Sequence, residues 1–437
     1  MSIKDKIRGN IINLILSESI ENGTELINRI RNFKKETIYF YYNMEDYHSY
    51  LLLTLLQNFY NHCKLEIKII LIPGPKGDFD LVPDLRKEWD FKDSKNLSSF
   101  WDFENNIIES METRPVLNKS IISIAESIAI KVVKNERTSN HLKFIKKISD
   151  ALLSNDLNAL NKLKSHYGFV NEDSRKSYLN KNQNDQMKKG HYQSGVLFHN
   201  GLWYWGIDRI HFLEERLKKR NIYKGNILRQ KEDILLKEKS LTLKNNSKKL
   251  DFYFSFRSPY SYISLERIFN LEKKYNIELN IKPILPMVMR GLPIPRQKGL
   301  YISKDTSRLA RKLNIPFGRI SDPVGKGVEN CMALYQFVKD NGKEKEFLHS
   351  ATKGCWSESL NLAELKDLKI VVSRIGLNFN DAKKLLKKED WREMTSKNQK
   401  DLEELGLWGV PSFHYKGQSL WGQDRISFLE TLIASNS

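Results

Sequence analysis

At 437 residues, 40% of them apolar, the chain is long enough for two or three domains with ordinary buried cores. Its three cysteines, Cys63, Cys331 and Cys355, are widely spaced and form no CxxC or cysteine–histidine cluster, which argues against a disulfide framework, a structural zinc site and a dithiol redox centre, and for a reducing, cytoplasmic setting. The net charge of +19 comes from basic residues dispersed among Glu, Asp, Asn and Ile, so a lysine-rich solvated surface is expected and neither nucleic acid nor membrane is an expected partner, although such a surface suits an acidic small substrate.

The opening stretch, MSIKDKIRGNIINLILSES, is interrupted by Asn13, Ser17 and Glu18 and reads as a first amphipathic helix, not a signal peptide. No stretch approaches the roughly 20 apolar residues needed to span a bilayer. Residues 37 to 42, TIYFYY, then read as a strand, Tyr47 to Phe59 as a helix, and Leu65 to Ile72 as a second strand ending at Pro73. Residues 251 to 256, 260 to 275 and 277 to 285 repeat that plan, ending at Pro286. Tyr47 and Tyr260, like Pro73 and Pro286, are 213 positions apart.

The ends of the two halves also match. GVLFHNGLWYWGIDRIHFLE at 195 to 214 stands beside GVPSFHYKGQSLWGQDRISFLE at 409 to 430, so Trp205, Gly206, Asp208 and Arg209 answer to Trp421, Gly422, Asp424 and Arg425. Each reads as a hairpin leading through Trp-Gly into a helix. Between these ends lie long helical stretches, roughly Asn118 to Leu163 in the first half, and Glu329 to Leu348, Asn361 to Leu386 and Lys397 to Leu405 in the second. The expected architecture is therefore α/β, two copies of a mixed sheet with a helical insertion. They occupy residues 1–222 and 249–437, joined by a charged linker at 223–248.

Three places in the second half can carry chemistry. Ser258, followed by Pro259, sits where a strand feeds a helix N-terminus, a position that suits either a cap or a bound anion. Val410-Pro411 begins a later strand, and a proline there belongs at an edge or in a special turn such as a cis bond; the Val410 backbone could then pair with an extended peptide. Gln423 and Asp424 open the last helix, either as its cap or as a receiver for the ammonium and carboxylate of an amino-acid moiety. Cys355, Trp356 and Trp421 read as core residues, and no metal site is expected.

FYFSFRSPYSY at 252 to 262, the GVPSF segment and WGQDRISFLE resemble the family of 2-hydroxychromene-2-carboxylate isomerase and the kappa-class glutathione transferases, on the DsbA-like thioredoxin fold. The resemblance covers residues 249 to 437, and the first half resembles the same fold more weakly, as a diverged tandem copy. It implies two thioredoxin-like domains and glutathione as cofactor, with Ser258 bonded to its sulfur. The resemblance likewise implies that Val410, before Pro411, pairs with the cysteine moiety, that Gln423 and Asp424 hold the γ-glutamyl end, and that Lys298, in KGLYISKD with Tyr301 and Asp305, approaches a carboxylate.

Glutathione-dependent isomerisation of an unsaturated aromatic acid is the implied reaction, with transferase activity or ligand binding without catalysis as the alternatives. The chain departs from the family by lacking an asparagine before Lys298, where Arg290 or Arg296 is the candidate substitute. In the first copy Glu45-Asp46 stands opposite Ser258-Pro259 and Leu197 opposite Pro411. That half is expected to be a non-catalytic partner in an intramolecular pseudo-dimer, acting beside a small electrophilic or aromatic substrate bound by the second.

Overall fold

The computed structural model describes residues 3–32, 36–101, 103, 106–135, 138–227 and 249–435. From position 228 onward the expected linker at 223–248 lies outside the described residues. The chain divides into two compact units, one of residues 22–235 and the other of residues 1–21 with 236–437. The sequence reading placed residues 1–222 together; the boundary instead falls inside the second of two opening helices, α1 (Ile3–Ile15) and α2 (Glu18–Arg31).

In the unit of residues 22–235, β1 (Thr37–Tyr42) leads to α3 (Tyr47–His62) and β2 (Glu66–Leu71). Alternation is nearly lost in β1 because five of its six residues are buried, as a central strand covered on both faces requires. The insertion comprises α4 (Pro83–Trp101), the short α5 (Ile107–Ser110), α6 (Lys119–Asn135), α7 (Thr138–Leu153), α8 (Leu157–Tyr167) and α9 (Glu172–Lys188). A hairpin of β3 (Val196–His199) and β4 (Leu202–Trp205) then delivers α10 (Ile207–Lys219).

The other unit repeats this order. It runs β5 (Lys249–Phe254), α11 (Pro259–Tyr275), β6 (Glu278–Pro283), α12 (Arg296–Lys312), α13 (Lys326–Asp340), α14 (Glu344–Ser357), α15 (Leu365–Arg374), α16 (Phe379–Leu385) and α17 (Trp391–Glu404). The hairpin of β7 (Ser412–Tyr415) and β8 (Gln418–Trp421) ends in α18 (Ile426–Ser435). Both sheets have four strands, in the orders β2-β1-β3-β4 and β6-β5-β7-β8. In each, the first pair is parallel and the other two pairs are antiparallel.

The registers correct the repeat by one residue. Thr37 pairs with Glu66 as Lys249 pairs with Glu278, an offset of 212 rather than 213. Likewise Ile72 N–H donates to Tyr42 O at 2.9 Å and Ile284 N–H to Phe254 O at 2.8 Å. Strand β5 also starts and stops two residues earlier than the pattern suggests, because Ser258 N–H donates to Ser255 O and closes a turn before α11. Asp46, the cap of α3, therefore stands at the position of Ser258, the cap of α11.

Residues 1–21 join the second half through polar anchors. Leu16 O accepts from Ser307 Oγ at 2.9 Å and from Arg311 at 3.0 Å, and Glu21 pairs with Arg308 and Arg311. Gly9 lets the α1 backbone approach closely: a Cβ there would lie 1.8 Å from Ser359 Oγ.

Candidate functional site

Ser258 is fixed by the local sequence. Its extended backbone ends the turn, Pro259 occupies the first helical position, and Ser258 Oγ accepts from Ser261 N–H at 3.1 Å. The same oxygen donates to Val410 O at 3.3 Å. Val410-Pro411 is cis, as its place before β7 suggested. Residues 152 positions apart thus meet at the positive end of a 17-residue helix. The Val410 carbonyl is used by Ser258, whereas among the described residues nothing accepts from Val410 N–H.

Two arginines hold this arrangement: Arg290, one of the two candidate substitutes, and Arg267, which the sequence reading did not single out. Arg290, in the helical turn Met287–Arg290, donates to Trp408 O at 2.7 Å and tethers the segment entering Val410. Burial holds its pKa below the usual arginine value, with Glu403 acting in the opposite direction. Arg267 on α11 donates to Gln423 O at 3.1 Å and to Gln423 Oε1 at 2.9 Å. Gln423 is itself buried and donates onward to Asp424 Oδ1, so it positions the half-buried Asp424 rather than facing outward.

Lys298 is half-buried in the first turn of α12. Asp305, two turns further along the same face, accepts from Tyr260 OH at 2.7 Å, which ties that face to the first turn of α11. Arg296, the other candidate substitute, is exposed at the start of α12.

Cys331 and Cys355 are fully buried and burial pushes both thiols up; Cys355 Sγ donates to Thr352 O. Neither is a reactive thiol in this environment. All three cysteines are free. Trp356 is buried and stacks on Phe317, whereas Trp421 is half-buried and packs edge-on against Trp408.

The first unit carries different residues at the matching places. The ladders align Val196 with Ser412, which puts Gly195, not Leu197, at the position of Pro411. Gly206 N–H donates to Gly195 O just as Gly422 N–H donates to Pro411 O, both at 2.8 Å. Gly195 has φ 66°, a conformation that favours glycine, and its N–H donates to Tyr41 O. At the same offsets Leu55 replaces Arg267 and Ile207 replaces Gln423. Asp46 accepts from Ser49 Oγ at 2.6 Å and Ser194 Oγ at 2.7 Å, so the cap position is filled by a carboxylate already engaged within the protein.

His48 lies beside that cap, with Nε2 2.8 Å from Asp93 Oδ2 and Nδ1 3.6 Å from Asp90 Oδ1 and 3.8 Å from Asp46 Oδ1. Arg86 bridges Asp80 and Asp90. Burial opposes charge on the His48 ring, but the Asp93 hydrogen bond and the fields of Asp90, Asp93 and Asp46 outweigh it and push its pKa up to about 9. Burial likewise lifts Asp90 to about 7, against the pull of His48 and Arg86.

Both shifts are upward, so the stabilisation they represent is present at low pH and lost as pH rises. For Asp90 the loss runs from about 3.8 to about 7, and for His48 from 6.5 to about 9. The urea midpoint of the first unit should fall between pH 6 and pH 9.5, and His48→Gln should flatten the part above pH 7; a midpoint that rises over that interval contradicts the assignment.

Residues 249–434, which carry this strand order, the cis proline facing a helix N-terminus and the helical insertion, match the family model of the DSBA-like thioredoxin domain. Among individual proteins, the chain is 23% identical over 197 residues to 2-hydroxychromene-2-carboxylate isomerase of Sphingobium xenophagum, covering 43% of this chain and 98% of that protein. It is 26% identical over 207 residues to glutathione S-transferase kappa 1 of Homo sapiens, covering 42% and 90%. A solved structure of 2-hydroxychromene-2-carboxylate isomerase aligns with a TM-score of 0.38 at 20% identity, over 43% of this chain and 95% of that one.

Proposed function

We propose that the second unit is a glutathione-dependent enzyme that isomerises an unsaturated aromatic acid, with Ser258 holding the glutathione sulfur. The observation that carries the reading is the meeting of Ser258 Oγ with Val410 at the N-terminus of α11, beside a Val410 N–H that has no acceptor among the described residues. The arrangement fits an extended thiol peptide. Val410 N–H would pair with its backbone, as an added strand is bound. Arg267, which orients Gln423 and Asp424, lies nine residues beyond Ser258, about 13 Å along the helix axis. In this reading Ser258 and Val410 take the central cysteine moiety, and Gln423 with Asp424 the γ-glutamyl end.

When bound, glutathione supplies a thiolate that adds reversibly to an electron-poor double bond, allowing rotation before elimination. The protein's own residues bias the thiol towards that state. A free thiol has a pKa of ~8.5, and lowering it by about two units requires roughly 2.7 kcal/mol. A hydroxyl donor to a charged group supplies ~1.5–3 kcal/mol and the helix end ~0.3–1 kcal/mol, which together suffice. Ser258 Oγ can turn from Val410 O to the sulfur, keeping Ser261 N–H as its donor. Lys298 and Asp424 would meet the charged ends of the peptide.

Retention of the adduct would make the same site a transferase. Disulfide exchange is disfavoured because positions 258 to 261 read Ser-Pro-Tyr-Ser, with no thiol. The first unit, with Asp46, Gly195, Leu55 and Ile207 at the corresponding places, is read as a diverged, non-catalytic copy of the same fold.

Titration calorimetry with reduced glutathione tests the binding half of the proposal. Saturable binding with one site per chain is expected, and Arg267→Met should weaken it about tenfold by releasing Gln423 and Asp424. No heat at millimolar ligand would refute the reading.

A further inference from the structure

Helix α1 presents its larger apolar face to solvent. Ile3, Ile7, Ile11 and Leu14 follow helical spacing on one side and are 81%, 56%, 54% and 62% exposed. The opposite side holds the helix to its own unit through buried Gly9, half-buried Ile12 and buried Leu16, whose carbonyl accepts from Ser307 and Arg311. An amphipathic helix of a globular unit normally turns its apolar stripe inward; here the inner face is narrow and the aliphatic stripe points out.

Charge indicates what covers it. At 100° per residue, exposed Lys4 and Arg8 flank the stripe on one side and exposed Lys6 on the other, in a chain of net charge +19. Packing the same face against a second copy would bring these cations together, whereas an anionic surface pairs with them. No described helix is long and apolar enough to cross a membrane, so any lipid contact is one of a helix lying in the interface. Aliphatic residues flanked by Lys and Arg suit that position, with side chains reaching the acyl boundary and cations at the headgroups.

We propose that α1 docks the chain on an anionic lipid surface. This revises the sequence expectation of no membrane partner, and it is independent of the chemistry at Ser258. A bulk net charge gave no indication of location; the structure concentrates three basic residues around one exposed stripe.

Sedimentation of the full chain with vesicles tests it. Binding to phosphatidylcholine–phosphatidylserine vesicles is expected, much reduced on phosphatidylcholine alone and falling with added salt. Ile7→Glu with Ile11→Glu should reduce binding more than tenfold, and Lys4→Gln or Lys6→Gln about fivefold each, since each basic residue near such a surface contributes ~1 kcal/mol. All four positions are exposed, so the fold and glutathione binding should be unchanged. The proposal is overturned by a chain that stays in the supernatant at every composition, by binding that ignores the isoleucine substitutions, or by a vesicle-free dimer that those substitutions dissociate.

Discussion

Phe252→Ala is expected to destabilise the second unit by about 3–5 kcal/mol, the cost of removing a fully buried ring from a core that cannot close around the gap. The ring is completely buried in the centre of β5. It stacks on Phe413 of β7 with centroids 5.5 Å apart, and meets Phe254 edge-on at 5.9 Å. Phe254 continues to Phe256 at 5.2 Å and Phe256 to Phe347 at 5.8 Å, so one line of aromatic contacts joins the sheet to the helical insertion. A loss of this size is a large fraction of the ~5–15 kcal/mol by which domains are stable. Urea denaturation monitored on the second unit should show its midpoint displaced far downward. A change below about 1 kcal/mol would mean the neighbouring rings repack freely, contrary to their geometry.

Ser258→Ala is expected to leave glutathione binding within a fewfold of the parent while reducing turnover about ten- to hundredfold. The ground state loses one contact among several made by a tripeptide, whereas the thiolate loses its hydroxyl donor, worth ~1.5–3 kcal/mol. The helix end remains, so some activity remains. Steady-state rates at saturating glutathione give the split. Equal losses in binding and rate would make Ser258 a general binding residue, and no loss in rate would remove it from the chemistry.

Much of this architecture was legible because its signals are local. The buried run TIYFYY and the cap-and-proline sequence at Ser258 announce a strand and a helix start without reference to the rest of the fold. The paired Trp-Gly hairpins mark the ends of both halves. Elements without an apolar stripe gave no such signal: α9, whose buried residues are only Leu179 and the polar Gln186, is held by contacts made only in the folded chain, for example Asn182 Nδ2 to Leu71 O. The one-residue slip in the repeat arose from matching prolines and tyrosines, whereas the ladders match hydrogen-bond partners.

The site was legible as residue types more than as geometry. Ser258, Val410, Pro411, Gln423, Asp424 and Lys298 were singled out, and the structure brings Ser258 to Val410 and groups Gln423 with Asp424 under Arg267. Arg267 had a detectable signal, since it interrupts the helical row of Ile263 and Leu271, both buried. Arg290 could not be assigned, because its partner Trp408 is 118 positions away. The attachment of α1 to the second half was invisible for the same reason: Leu16 and Ser307 are 291 positions apart.

The most direct test of the account is the thiol pKa of glutathione bound to the full chain, followed by thiolate absorbance in the ultraviolet. A value about two units below the free thiol's ~8.5, returning most of the way in Ser258→Ala, is the predicted result. A bound thiol that titrates as it does free in solution, or that is unaffected by Ser258→Ala, would contradict the claim that this helix end holds a thiolate.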